Sequence, residues 1–108
     1  MIDADTINAA FHCLRTEQLS LANYTALETR VRTEIESKKA ELLALGIIDG
    51  KNAEIREGQL RDRLASEHLE LSEAQGAVAE ARTGVTIAQI EVDRCKTLLR
   101  LLEVTRPS

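Results

Sequence analysis

The side chains able to do chemistry in this 108-residue chain are few and widely spaced. There are two cysteines, Cys13 and Cys95, and two histidines, His12 and His68. Thiolate and imidazole are metal ligands and nucleophiles, but a metal site needs them at short, convergent spacings. Neither histidine has an inward-facing Glu or His three or four residues away, so no metal-binding residues are assigned. His12, Cys13 and Thr16 form no known catalytic arrangement, and surface or boundary positions for both histidines are expected. Gly46-x-x-x-Gly50-Lys51-Asn52 is similar to a phosphate-binding loop but is one residue short between its glycines. Asn52 stands where a magnesium-holding Ser or Thr belongs, and no strand pattern precedes the segment. Helix capping explains the same residues, with Lys51 free to attract an anion or a partner.

These residues are positioned by helices. Leu64, Leu71, Val78, Val85, Val92 and Leu99 recur every seven residues. Three residues after each come Glu67, Ala74, Ala81, Ala88, Cys95 and Leu102. A 3-4 repeat held this long specifies a coiled-coil seam, and alanine on one rung admits a close neighbouring helix. A weaker ladder precedes it: Ile7, Leu14, Leu21, Ile35 and Leu42, interrupted by Glu28, with Ala10, Glu17, Tyr24, Val31, Lys38 and Leu45 beside it. Helix one is predicted over about 4–45, capped by Asp3 or Asp5 and closed by Gly46 in a left-handed conformation. A turn over 46–51 leads to helix two over about 52–104, capped by Asp49 or Asn52.

A short turn between long helices makes an antiparallel hairpin, in which facing residues have numbers summing to roughly 97. That rule places Glu67 near Arg30, Lys38 near Gln59, and Leu14 near Thr83. It separates Cys13 from Cys95 by about 16 Å along the axis, too far for an intrachain disulfide, so both are expected to be small buried hydrophobes. Glu17, Glu28, Lys38 and Glu67 are polar intrusions that set register or partner choice. Gly76 and Gly84 lie inside helix two. Gly84, on a strip with Ala77, Ala81 and Ala88, implies close helix approach across the dimer, with flexibility near Gly76 as the rival reading.

Helix one spans about 60 Å and helix two about 80 Å at 1.5 Å per residue. Thr97 to Val104 therefore overhangs, although it is among the most apolar stretches of the chain. Ile87, Ile90 and Leu98 lie outside the main ladder. Burying a Leu or Ile contributes about 1.5–3 kcal/mol, so self-association is expected. The expected fold class is all-α, a long antiparallel two-helix coiled-coil hairpin forming one domain over 1–108 and dimerising into a four-helix arrangement. The expected dimer interface is Leu98, Leu99, Leu101, Leu102, Ile87, Ile90 and Gly84.

Composition excludes several function classes. Aromatic residues are 2% of the chain, too few for the core of an ordinary α/β or sandwich domain. The net charge is −4 and mixed: residues 1–46 carry five basic and seven acidic groups, and residues 47–108 carry nine and eleven. Lys51, Arg56, Arg61 and Arg63 gather near the turn, but Glu54, Glu57 and Asp62 dilute them, so nucleic acid is disfavoured as a partner. No apolar run reaches the roughly 18 residues of a membrane span, and MIDADTINAA lacks the character of a signal peptide. A cytoplasmic protein is expected, without a cofactor. An enzyme is not expected, because no nucleophile, base and pocket converge.

The segment Asp49-Gly50-Lys51-Asn52-Ala53-Glu54-Ile55-Arg56-Glu57-Gly58-Gln59-Leu60, with Arg94 and Thr97-Leu98-Leu99-Arg100-Leu101-Leu102, resembles small α-helical coiled-coil hairpin proteins of tailed bacteriophages. The likeness covers the turn and second helix, about half the chain, and Ile55 and Gly58 depart from that family's usual Glu and Ala. The resemblance implies a phage accessory protein of the host cytoplasm, with a host or phage protein as partner, and names no reaction. The expected function is non-enzymatic protein-protein interaction or scaffolding. The alternatives are inhibition of a bacterial defence protein and weak nucleic-acid association. A possible partner site at the turn comprises Lys51, Asn52 and Arg56.

Overall fold

The computed structural model describes residues 3–105, and all regular structure among them is helical. Helix α1 is Ala4–Ala44, α2 is Ala53–Arg63 and α3 is Ala65–Thr105. Asp3 takes the first cap: Thr6 N–H donates to its carboxylate at 2.8 Å, while Asp5 lies in the first turn. Gly46 has φ +72°, the conformation that closes a helix. Its N–H donates to Leu43 C=O at 3.2 Å and Ile47 N–H to Leu42 C=O at 3.2 Å, which satisfies two carbonyls of the last turn.

The chain divides into two units. One joins α1 up to Asn23 with α3 from Ala79 onward, and the other runs from Tyr24 to Val78. In the first, Ala10 and Leu14 of α1 pack with Ala88, Val92 and Cys95 of α3, and Val85 lies against them. In the second, Val31, Ile35 and Leu64 form the buried cluster, flanked by Leu27, Leu42 and Leu71. The heptad ladder of helix two is thus buried or half-buried from Leu64 to Cys95. Its last rungs, Leu99 and Leu102, are exposed.

Two sequence expectations are corrected. Helix two is not continuous: α2 and α3 meet at Leu64, whose backbone leaves helical angles at φ −110°, ψ 22°. Its N–H still donates to Leu60 C=O at 2.9 Å and its C=O accepts from His68 N–H at 2.9 Å, so the deviation is one residue wide. Leu64 is buried with Val31 and Ile35, whereas α2 contains no buried residue. The register also differs. Glu67, expected opposite Arg30, pairs with Lys38, eight residues further along α1, and Leu14 clusters with Ala88 and Val92 rather than lying at the level of Thr83. The cause is the turn, which folds onto the start of α2 instead of reversing tightly near residue 48. The reversal is thereby moved later in the chain.

Glycine positions separate into two kinds. A Cβ on Gly50 would lie 2.6 Å from Ile55 Cγ2 and 3.1 Å from the Arg56 nitrogen, so only glycine lets the turn lie against α2. A Cβ on Gly76 or Gly58 meets nothing within 4 Å. Gly76→Ala is expected to raise stability by about 0.5–1 kcal/mol through helix propensity, and Gly50→Ala to lower it. Thermal melts of the two variants check the opposite signs.

Candidate functional site

The turn is a hydrogen-bonded cap rather than an open loop. Asn52 is the N-cap of α2, its side chain accepting from Ile55 N–H at 2.9 Å. Gly50 N–H donates to Gln59 Oε1 at 3.0 Å, and Gln59 Nε2 donates to Asp49 Oδ1 at 3.1 Å. Arg56 Nη1 donates to Gly50 C=O at 3.2 Å. Ile48, in the same turn, is buried. Of the three residues the sequence singles out here, Asn52 and Arg56 therefore hold the turn, and Lys51 is exposed. Gln59 is the residue sequence reasoning misses. Its link to Gly50 and Asp49 crosses from the turn to α2 and has no local sequence signal.

The polar seam residues sort themselves by the corrected register. Lys38 Nζ lies 3.0 Å from Glu67 Oε1, so two intrusions placed apart by the simple facing rule meet each other. Glu28 instead pairs with Arg32 one turn along α1, at 2.9 Å. The Glu17 carboxylate occupies the space where Gly84 would carry a Cβ. Gly84 thus accommodates an α1 side chain of its own unit. Gly76 has open space around it.

Hydrogen bonding to Lys38 holds the Glu67 carboxyl below its ordinary value of 4.5, with its own backbone and Ser66 adding to the effect. The same contact raises Lys38 above 10.5. A depressed carboxylate stabilises the fold above its unfolded pKa and loses that contribution as pH falls through the folded value. The raised lysine contributes below 10.5 and loses its contribution as pH climbs through the folded value. Glu67→Gln is therefore expected to lower the melting temperature at pH 7 and to have a smaller effect near pH 3. Melts at the two pH values check this, and an equal effect at both would remove the pair from the account. Both partners are partly exposed, so the shift is modest.

The cysteines do not behave alike. Cys95 is buried against Ala10 and Val92, as expected of a small hydrophobe. Cys13 is exposed, contrary to the sequence expectation, because it lies beside the buried Ala10 and Leu14 rungs rather than on them, at the rim of a groove. That groove, of about 450 Å³, is lined by Cys13, Glu17, Gly84, Ile87, Ala88, Ile90 and Glu91. It is mainly apolar, but two carboxylates border it. A smaller depression of about 160 Å³ is lined by Lys39, Glu57, Leu60, Arg61 and His68, mixing three basic groups with one acid. His12 is exposed. Among the described residues no three His, Cys, Asp or Glu side chains group to hold a metal ion, and none of the helices is long and apolar enough to cross a membrane.

The expected interface residues are placed unequally. Ile87 (63%), Ile90 (62%), Leu101 (53%) and Leu102 (55%) are exposed, as is Val104 (77%). Leu98 is half-covered and Leu99 sits at the boundary of exposure. The buried cluster of α1 and α3 ends at Cys95, and the aliphatic residues from Leu99 to Val104 are exposed. Phe11 lies beneath Lys96, whose Nζ is 5.8 Å from the ring centroid. No protein-family model, curated protein or solved structure matches the chain.

Proposed function

We propose that this chain is a non-enzymatic interaction or scaffold protein that acts through helix-on-helix packing and self-associates as a homodimer. One observation carries the reading: large aliphatic side chains stand in water along the C-terminal half of α3, where α1 packs on the seam only as far as Cys95. Ile87, Ile90, Leu101, Leu102 and Val104 cluster over fewer than twenty residues of one helix. Isolated exposed leucines are ordinary, whereas a contiguous patch marks an interaction surface. Burying each side chain contributes about 1.5–3 kcal/mol, enough in sum to offset the entropy of association. The phage-protein resemblance of the turn and second helix supports placing this module among phage accessory factors. A host or phage protein would then be a further partner, and a bacterial defence protein one class of target.

Sedimentation equilibrium of the full chain at micromolar concentration tests the reading. A dimer is expected. A monomer that melts in a single sharp transition would remove self-association from it. Nucleic-acid binding is tested in parallel: no mobility shift of DNA or RNA is expected even at low salt, since Arg56 is bonded to the turn and acids surround Lys51.

A further inference from the structure

One stripe of α3, exposed except for half-covered Leu98, has a symmetric spacing along the helix. Ile87, Ile90, Arg94, Leu98 and Leu101 follow one another at intervals of three, four, four and three residues. At 100° per residue all five fall on one stripe, and the spacing reads the same in both directions about Arg94. An isologous two-fold interface requires this property when two copies of one helix meet antiparallel, because each residue must face its mirror position.

We infer that two copies of this chain pair through the C-terminal half of α3 in antiparallel orientation, with the two-fold axis at Arg94. The inference rests on the self-association proposed above and adds its geometry. Ile87 of one copy meets Leu101 of the other, and Ile90 meets Leu98. Leu102 of the second copy arrives at a level between Gly84 and Ala88. Those residues, with Ile87 and Glu91, have the i, i+3, i+4, i+7 spacing of a hole that receives a knob. They line the groove of about 450 Å³, with the Glu17 carboxylate lying over Gly84 at one side of it.

The charges favour the same orientation. Arg94 Nε lies 3.3 Å from Glu91 Oε1 within one copy. About an antiparallel axis at Arg94, Glu91 of the second copy comes within one turn of Arg94, and two acids and two bases form a neutral cluster. A parallel pair would set Glu91 on Glu91 as well as Arg94 on Arg94, whereas the antiparallel axis sets only Arg94 on Arg94 and brings the Glu91 of each copy beside that pair. From Ile87 to Thr105 the helix carries Glu91, Asp93 and Glu103 against Arg94, Lys96 and Arg100, so the face has no net charge to oppose its own copy.

Cysteine cross-linking of the full chain tests the arrangement in a Cys13→Ser background, with buried Cys95 left in place. Ile87→Cys and Leu101→Cys alter exposed residues, and circular dichroism confirms that each variant folds. Mixed together under mild oxidation they are expected to form a covalent heterodimer, while neither forms one alone, since a disulfide needs Cα atoms within about 7 Å. Each variant cross-linking to itself would overturn the antiparallel pairing and leave the self-association reading intact. A sedimenting dimer in which neither the mixture nor the single variants cross-link would overturn it in the same way. A wild-type chain that sediments as a monomer would overturn both.

Discussion

Leu64→Ala is expected to destabilise the chain by about 2–5 kcal/mol, the range found when a buried leucine is truncated in a core that cannot collapse around the gap. Leu64 is 3% exposed and packs with buried Val31 and Ile35. It also sits at the one residue where helix two breaks. At about 4–8 °C per kcal/mol for a chain of this size, the melting temperature falls by about 8 °C or more. Truncating Leu69, an exposed leucine close by on α3, is the control and should shift the melt little. If Leu64→Ala melted with the wild type, the buried cluster would not be what holds α1 to α3 in this unit.

Leu101→Glu is expected to weaken self-association by a factor of about 10²–10⁴ without reducing helicity. The residue is exposed in the single chain, so the helix tolerates the charge. Under a two-fold arrangement each dimer loses two leucine burials, about 1.5–3 kcal/mol apiece, and tenfold in affinity is about 1.4 kcal/mol. Sedimentation across a concentration series reads the shift. Leu69→Glu places the same charge on a leucine of similar exposure outside the patch and should leave association unchanged. Equal weakening by both variants would show a general charge effect and no specific surface.

Much of the architecture was legible from spacing. Ala74, Ala81 and Ala88 lie on the buried rung of α3, and Gly46 closes α1 with a positive φ. Both follow from short-range rules: a seven-residue period selects one face, and a residue without Cβ tolerates the left-handed region. The register was not legible. It depends on how many residues the turn consumes, and that is set by Gln59 reaching back to Gly50 and Asp49. A contact ten residues apart has no periodic signature. Because the register was displaced, the partners of Lys38 and Glu67 were displaced with it.

The candidate surface shows the same division. Heptad arithmetic marks Ile87, Ile90 and Leu98 as residues outside the main ladder, but it cannot say which of them α1 covers. Coverage is decided by where α1 lies beside α3, and the structure leaves Ile87 and Ile90 exposed while half-covering Leu98. The sequence by itself determined the helical class, the two seams and the capped turn, since each arises from interactions within one helical turn or one repeat. Tertiary structure alone decided the register, the break at Leu64 and the groove beside Gly84. Those depend on side chains distant in sequence that meet only after the chain has reversed.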